Sequence, residues 1–179
     1  MAYQDTQVLE DEEFARMLSL CNTQTAAGAR NAALLLLMGR TGLRCNEALQ
    51  VRAGDIRREE WQGHGKVWVL RVRTETTKGK KPRSPLPLDA ETRAALDLWA
   101  EKRAALGLNG GPLFCTVSSG TRVHGAPSAD GFSRGTAETA LQPGGPLSSR
   151  YVRALVARLA ETPARALPVG HAMVAAEPM

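Results

Sequence analysis

An unbroken apolar run, "AALLLLMG" at residues 32–39, stands out in the first quarter of the chain. A helix over 28–40 built on this run is apolar on nearly every face, and such a helix is typical of a protein interior. The Thr41-Gly42 pair that follows predicts a break in the helix. The sequence therefore predicts a folded domain that surrounds one central buried helix.

The composition fits one globular domain of ordinary size. The 179 residues are 43% hydrophobic and 23% charged, but only 4% aromatic, so the core must rest on Leu, Val and Ala. The three cysteines, Cys21, Cys45 and Cys115, lack metal-ligand spacing, which favours a reduced, cytoplasmic setting without zinc. We expect no membrane segment, because no apolar run reaches about 18 residues.

Positive charge is concentrated in one short region. Residues 66–83 carry one acid, Glu75, and seven basic residues: Lys66, Arg71, Arg73, Lys78, Lys80, Lys81 and Arg83. A polyanion such as nucleic acid is a suitable partner for this cluster, and a solvated basic hairpin is the alternative. The region lacks the GxxxxGK spacing of a nucleotide-binding loop, so we expect no nucleotide ligand.

The periodicity predicts an α+β domain that is mostly helical, with a small antiparallel sheet carrying the basic hairpin. The strands are expected over 66–73 and, as a proline-restricted edge strand, over 84–88. The 115–146 segment lacks periodicity and reads as a mobile loop or an insertion. Helices are expected over 10–22, 28–40, 43–51 and 90–106, and from Ser148 or Ser149 to about Thr162.

The stretch "TGLRCNEAL", residues 41–49, places an arginine among small and apolar neighbours. We expect its guanidinium to be buried there, and it would then need an anionic partner, because an unpaired buried charge is costly. Glu47 is a local candidate, since residues three apart share one face of a helix. The residues alone leave two alternatives open for Arg44: a structural ion pair, or a site for a negatively charged ligand.

The order of these pieces resembles the catalytic domain of tyrosine recombinases, the phage integrase family. The resemblance predicts a catalytic-like domain over 8–161 and an irregular tail over 162–179. "TGLRCNEALQVRAGDI" resembles the first arginine box of the family, and "TKGKKPRSPLPL" resembles its GKGxKxRxVPL hairpin. Family members cut and rejoin duplex DNA through a covalent 3′-phosphotyrosine, so the resemblance implies double-stranded DNA as partner and no metal or cofactor.

The resemblance also implies roles for individual residues. Arg44 would bind the scissile phosphate, and Glu47 would orient Arg44. Lys78 would protonate the leaving 5′ oxygen as a general acid. The remaining basic residues would bind phosphates of the DNA backbone: Lys80, Lys81, Arg83, Arg71 and Arg73.

The C-terminal part departs from the family pattern. "LSSRYVRALVARLA" resembles the helix before the second box, yet no HxLRH sequence follows it. "PVGHAMVAAEPM" reads as a damaged LRH box with Gly170 at the arginine position, or as an LGH box with His171 as the catalytic histidine. The second arginine and the nucleophilic tyrosine are not found, and Tyr151 is expected to serve packing or the surface. We therefore expect the chain to be truncated or degenerate at its C-terminus.

These observations predict the DNA-binding domain of a site-specific tyrosine recombinase, with other recombinase subunits as further partners. Its catalytic competence stays open at this point. One alternative is a non-catalytic DNA-binding module or regulator that retains the phosphate-binding residues. Another is a basic structural domain without a nucleic-acid role.

Overall fold

The computed structural model describes residues 9–61, 63, 65–77, 79–117, 120–124, 137–141 and 143–162, with backbone alone for 120–124 and 137–141. The helices are α1 (Asp11–Ser19), α2 (Ala26–Thr41), α3 (Cys45–Leu49), α4 (Ala90–Ala105) and α5 (Ser149–Glu161). The strands are β1 (Ile56–Trp61), β2 (Gly65–Leu70), β3 (Leu86–Pro87), β4 (Gly120–His124) and β5 (Ala137–Leu141). The predicted α+β class, mostly helical with a small antiparallel sheet, is confirmed.

Helix α2 lies at the centre of the fold, as its apolar run predicts. Leu34 and Leu37 are fully buried, and the helix ends at Gly42, whose φ of 64° is the left-handed conformation that favours glycine. At Gly39 a β-carbon would lie 2.6 Å from the ring of Phe14, so the glycine permits the close approach of α1. The sequence of α2 thus fixes both where the helix ends and how closely its neighbour packs.

The core has two parts on either side of α2. The larger part contains the fully buried Trp99 of α4 and Phe114, and the indole Nε1 of Trp99 donates a hydrogen bond to the carbonyl oxygen of Leu113 at 2.9 Å. The smaller part joins α1 to α5 through Met17 and Leu159. Both α4 and α5 begin at a predicted cap, because the side chains of Asp89 and Ser148 accept backbone N–H bonds at their starts.

The three-stranded antiparallel sheet has the order β1-β2-β3 and holds the basic hairpin beside α3. Strand β3 lies at the edge of the sheet, as expected for a strand that contains proline. Strand β1 was not predicted, and it pairs along the whole length of β2. The sheet therefore fixes the start of the hairpin, while its return arm, residues 79–85, carries no regular strand.

Two predictions about the elements need correction. The 115–146 segment, expected as a mobile loop or an insertion, is not a plain loop, because β4 and β5 pair within it as a second antiparallel sheet. The insertion stays a prediction. Strand β2 ends at Leu70, so Arg71 and Arg73 follow the strand instead of lying in it. The predicted tail lies mostly outside the described residues, and within the described part no helix is long and apolar enough to cross a membrane.

Candidate functional site

A cavity of about 600 Å³ opens where α3, the turn after β2 and the start of α5 meet. Three separate parts of the chain form its wall. They are α3 with its flanks (Arg44, Cys45, Asn46, Glu47, Gln50), the turn (Thr76, Thr77) and α5 (Ser149, Arg153). Hydroxyl, amide and guanidinium groups thus predominate, and such groups suit a ligand rich in oxygen acceptors.

Arg44 is exposed, which corrects the expectation that its guanidinium would be buried. Its side chain keeps 63% of its accessible surface, because Arg44 is the residue before the first turn of α3 and has an extended backbone. The core positions around it belong to Leu43 and Ala48, which are 4% and 0% exposed. The arginine box therefore places its apolar residues inside and its arginine at the cavity.

The buried charge of this site is Glu47. Its side chain is 2% exposed, and its carboxylate accepts the backbone N–H of Arg44 at 3.0 Å and Nη1 of Arg44 at 3.4 Å. Nη1 of Arg83 donates to the same carboxylate at 2.9 Å. Burial by itself would raise the pKa of Glu47, but the Arg44 backbone N–H and the guanidinium groups of Arg83 and Arg44 outweigh it and lower the pKa. Glu47 therefore stays ionised near neutral pH while it contacts Arg44.

The Arg83–Glu47 contact joins the hairpin to the arginine box across 36 residues of sequence. Sequence reasoning assigned Arg83 to a DNA phosphate, whereas here its guanidinium pairs with Glu47, closer than Arg44 does. No sequence signal gave this pairing, because it depends on how the return arm of the hairpin lies against α3. The contact fixes the hairpin beside the cavity.

The other basic residues named from the sequence divide into two groups. Arg71 pairs with Glu59, with Nη2 and Oε2 2.7 Å apart, and Arg73 pairs with Asp55, with Nε and Oδ2 3.3 Å apart. Lys80 and Lys81 are exposed at the tight turn, where the φ of Lys80 is 51°. The structure brings Arg44, Glu47 and Arg83 together, while Lys78 and His171 lie outside the described residues.

Sequence reasoning missed both cavity residues that α5 supplies, Arg153 and Ser149. The buried stripe of α5, formed by Val152, Leu155 and Leu159, predicts that Arg153 lies off the core face. It does not predict that this part of α5 packs against α3. Within the described ranges no cluster of three or more His, Cys, Asp or Glu residues could hold a metal ion.

Tyr151 contacts α2 and is not among the residues that line the cavity. Its hydroxyl donates to Oδ1 of Asn31 at 3.1 Å and accepts a hydrogen bond from Nη2 of Arg30. The half-buried ring also packs under the Arg30 guanidinium, 4.9 Å from the ring centroid. Of the two roles considered for Tyr151, these contacts favour packing.

The phage integrase family model matches residues 7–171, which is most of the chain. The chain belongs to the phage integrase family. This integrase-family chain is 38% identical over 99 residues to a tyrosine recombinase of Synechococcus elongatus. That match covers 55% of the chain and 28% of the cyanobacterial protein.

Solved structures share the integrase-family fold. The chain superposes on XerH site-specific recombinase bound to palindromic difH substrate, a post-cleavage complex, with a TM-score of 0.56 and 23% identity. That match covers 84% of this chain and 34% of XerH. For XerH in a pre-cleavage complex with difH substrate the TM-score is 0.54 at 22% identity, covering 89% and 39%. The chain thus spans about a third of the length of the proteins it matches.

Proposed function

We propose that this chain is the part of a site-specific tyrosine recombinase that binds duplex DNA and positions Arg44 on the scissile phosphate. The observation that carries the proposal is the exposed guanidinium of Arg44, oriented at a polar cavity by the buried carboxylate of Glu47. In this proposal the chain acts together with other recombinase subunits, and it does so in the cytoplasm.

The geometry of Arg44 suits a phosphodiester. Its only ion pair in the described part of the chain is the 3.4 Å contact with Glu47, so most of its donors face the cavity or solvent. A planar guanidinium can donate to two phosphoryl oxygens at once, which stabilises the negative charge that develops during phosphoryl transfer. Because Glu47 is also held by Arg83, this orientation of Arg44 exists before DNA arrives.

The hairpin extends the basic surface beyond the cavity. Thr76 and Thr77 line the cavity wall, and the chain leads from them to Lys80 and Lys81. Neither lysine has an acidic partner within the ranges that the structure describes. A polyanion bound by Arg44 can therefore continue along the hairpin, as duplex DNA would. The XerH complexes, each with a difH substrate, support DNA as the partner.

In this proposal Lys78 is the general acid for the leaving 5′ oxygen, and His171 is a candidate catalytic histidine. Lys80 and Lys81 hold backbone phosphates and keep the duplex against the cavity. The activity of a whole recombinase, cutting and rejoining DNA, would combine these residues with a second arginine and a nucleophilic tyrosine.

Salt-dependent binding of a labelled DNA duplex tests the proposal. If about four phosphates are neutralised, the logarithm of the association constant should fall with the logarithm of salt concentration with a slope near −3.6. The double variant Lys80→Ala/Lys81→Ala should flatten the slope by about two. Lys102→Ala is a suitable control, because Lys102 contacts the carbonyl oxygen of Gln24, between α1 and α2, and should leave the slope unchanged. A flat salt response of the unmodified chain would refute the proposal.

One observation favours a second candidate, a DNA-binding module without chemistry. Tyr151 is the one tyrosine within the described ranges, and its hydroxyl is held by Asn31 and Arg30. A nucleophile must approach the phosphorus to within about 3–3.5 Å and in line with the leaving oxygen. The 179-residue chain is therefore expected to form no covalent DNA adduct on a nicked suicide substrate. A DNA-linked band that Tyr151→Phe abolishes would contradict this role for Tyr151.

A further inference from the structure

We infer that Arg153 of α5 is a second phosphate-binding side chain of the cavity, and that Arg153 and Arg44 contact the same stretch of DNA backbone from opposite walls. The inference deepens the proposed function and rests on it, since it names a residue that would share the DNA phosphate with Arg44. Nothing in the sequence motifs of the arginine box or the hairpin points to this residue.

The position of Arg153 is fixed by the packing of α5. Val152, Leu155 and Leu159 are at most 5% exposed and hold one face of the helix against the core. The start of the helix is fixed as well, because the backbone N–H of Tyr151 donates to Oγ of Ser148 at 3.2 Å. Arg153 lies one turn into this helix and lines the cavity together with Ser149. Its placement at the wall thus follows from a rigid element.

The charges around the cavity do not balance. Arg44 and Arg153 line the cavity, and Arg83 adds a third guanidinium group through its contact with Glu47. Among the described lining residues, Glu47 contributes the single carboxylate. Arg153 is exposed and has no acidic partner in the described part of the chain. A cavity with two uncompensated positive charges attracts an anion, and the hydroxyls of Thr76, Thr77 and Ser149 can donate to further oxygen atoms.

The thiol of Cys45 supports a position of Arg153 close to the arginine box. Burial raises the pKa of the Cys45 thiol, and the positive charge of Arg153 opposes that rise. The field of Arg153 therefore reaches the residue next to Arg44. Cys45 is half-buried at the cavity, whereas Cys21 and Cys115 are buried. The reactivity of Cys45 can consequently report on what occupies the cavity.

The ligand is a polymer backbone, not a free nucleotide. The cavity wall continues through Thr77 into the turn that carries the exposed Lys80 and Lys81. A single phosphate group would occupy only part of the cavity of about 600 Å³ and would leave the hairpin lysines without an anionic partner. A DNA strand can place consecutive phosphates at the cavity and at the hairpin lysines, so it uses all of the unpaired positive charge.

The test compares Arg153→Ala with Arg158→Ala. Both variants remove one exposed arginine from α5, but Arg158 lies near Cys21, at the α1 side of the helix, and does not line the cavity. In fluorescence anisotropy with a labelled duplex, Arg153→Ala should weaken binding by about tenfold at low salt and reduce the salt slope by about one. Arg158→Ala should stay within about twofold of the unmodified chain, because its charge is remote from the bound phosphate. Arg153→Lys should recover part of the lost affinity, since it keeps the charge but not the planar fork.

The rate at which Cys45 is alkylated supplies a second readout. If Arg153 had only a structural role, its substitution would not change the protection of Cys45 by bound DNA. Bound duplex should slow alkylation of Cys45 in the unmodified chain and in Arg158→Ala, and should protect it much less in Arg153→Ala at the same DNA concentration. Circular dichroism and a melting curve show whether each variant is folded, and Arg153→Gln is the alternative if the alanine variant is not.

The outcomes separate the inference from the proposed function. If Arg44→Ala loses DNA affinity while Arg153→Ala matches Arg158→Ala, the inference is refuted and the proposed function stands. If the unmodified chain shows no salt-dependent DNA binding, both are refuted. Protection of Cys45 by inorganic phosphate alone, with no further gain from duplex, would overturn the assignment of a polymer ligand.

Discussion

Two arginines lie near the two ends of α2, and their surroundings are opposite. Arg30 is 3% exposed, and its guanidinium donates to the carbonyl oxygen of Cys115 at 2.9 Å, to Oδ1 of Asn31 at 2.8 Å and to the hydroxyl of Tyr151. Arg44 has a side chain that is 63% exposed, and one ion pair, at 3.4 Å, with Glu47. The sequence neighbours of both residues are largely small or apolar.

The contacts of an arginine, more than its sequence neighbours, separate a structural role from a binding role. Every nitrogen of the Arg30 guanidinium donates to a neutral oxygen acceptor, so this group has little capacity left for a ligand. Burial lowers the pKa of Arg30, and the neighbouring Tyr151 and Cys115 oppose that effect. Arg44 instead keeps donors available for a ligand, because its side chain is 63% exposed and its one ion pair in the described part of the chain is with Glu47. The first arginine joins α2 to α5, and the second faces the cavity.

The largest loss of stability is expected for Arg30→Ala. The substitution leaves a cavity and removes a partner from the Cys115 carbonyl oxygen, Asn31 and Tyr151, and each buried group left unpaired costs about 1–3 kcal/mol. We expect the free energy of unfolding to fall by about 3 kcal/mol. Urea denaturation measures this loss. A variant as stable as the unmodified chain would contradict a structural role for Arg30.

A smaller loss is expected for Arg83→Ala. Glu47, 2% exposed, would lose its closest ion-pair partner and keep the backbone N–H and the 3.4 Å contact of Arg44. Because Arg83 is itself 32% exposed, we expect a cost of about 2 kcal/mol, below the roughly 3–5 kcal/mol typical of breaking a fully buried pair. Urea denaturation measures it, with Arg71→Ala as the control for a surface ion pair, because the Arg71 side chain is 54% exposed and pairs with Glu59. Equal losses in the two variants would refute the special role of the Arg83–Glu47 pair.

The pH dependence of stability provides the third test, with Glu47→Gln. The pKa of Glu47 is lowered in the folded chain, so its ionised form stabilises the fold above the unfolded-state pKa of about 4.3. That contribution is lost as the pH falls through the lower, folded-state value. Glutamine still accepts the Arg44 backbone N–H, so we expect Glu47→Gln to be destabilised by about 1 kcal/mol at pH 7. The difference between the two proteins should shrink below about pH 4. If the two proteins differed in free energy of unfolding by the same amount at every pH, ionisation of Glu47 would not be the cause of the pH dependence.

Much of the fold was predictable because its signals are local. The helices over 28–40 and 90–106, and the caps at Asp89 and Ser148, follow from periodicity and cap residues in the sequence, and the structure has them. Strand β1 was missed because four consecutive charged residues, 57–60, conceal its pairing with β2. Strands β4 and β5 were missed because residues 115–146 show no hydrophobic alternation.

The site was predictable only where one short motif carries it. The pairing of Arg44 with Glu47 follows from their spacing on one helix, and the structure has it at 3.4 Å. The burial of Arg44 was predicted wrongly, because Leu43 and Ala48 occupy the core positions and direct Arg44 outward. The contact of Arg83 with Glu47 and the presence of Arg153 at the cavity depend on long-range packing against α3. No local pattern encodes that packing.

The most direct test of the account compares Arg44→Ala with Arg30→Ala by urea denaturation and duplex titration at one salt concentration. Because Arg44 is exposed and loses only one long ion pair, the free energy of unfolding of Arg44→Ala should change by less than about 1 kcal/mol. Its dissociation constant for duplex DNA should nevertheless rise by about tenfold, since a phosphate contact is lost. The folded fraction of Arg30→Ala should bind DNA as the unmodified chain does. An unchanged dissociation constant for Arg44→Ala, or a loss of stability as large as that of Arg30→Ala, would contradict the central claim that Arg44 is positioned for a DNA phosphate.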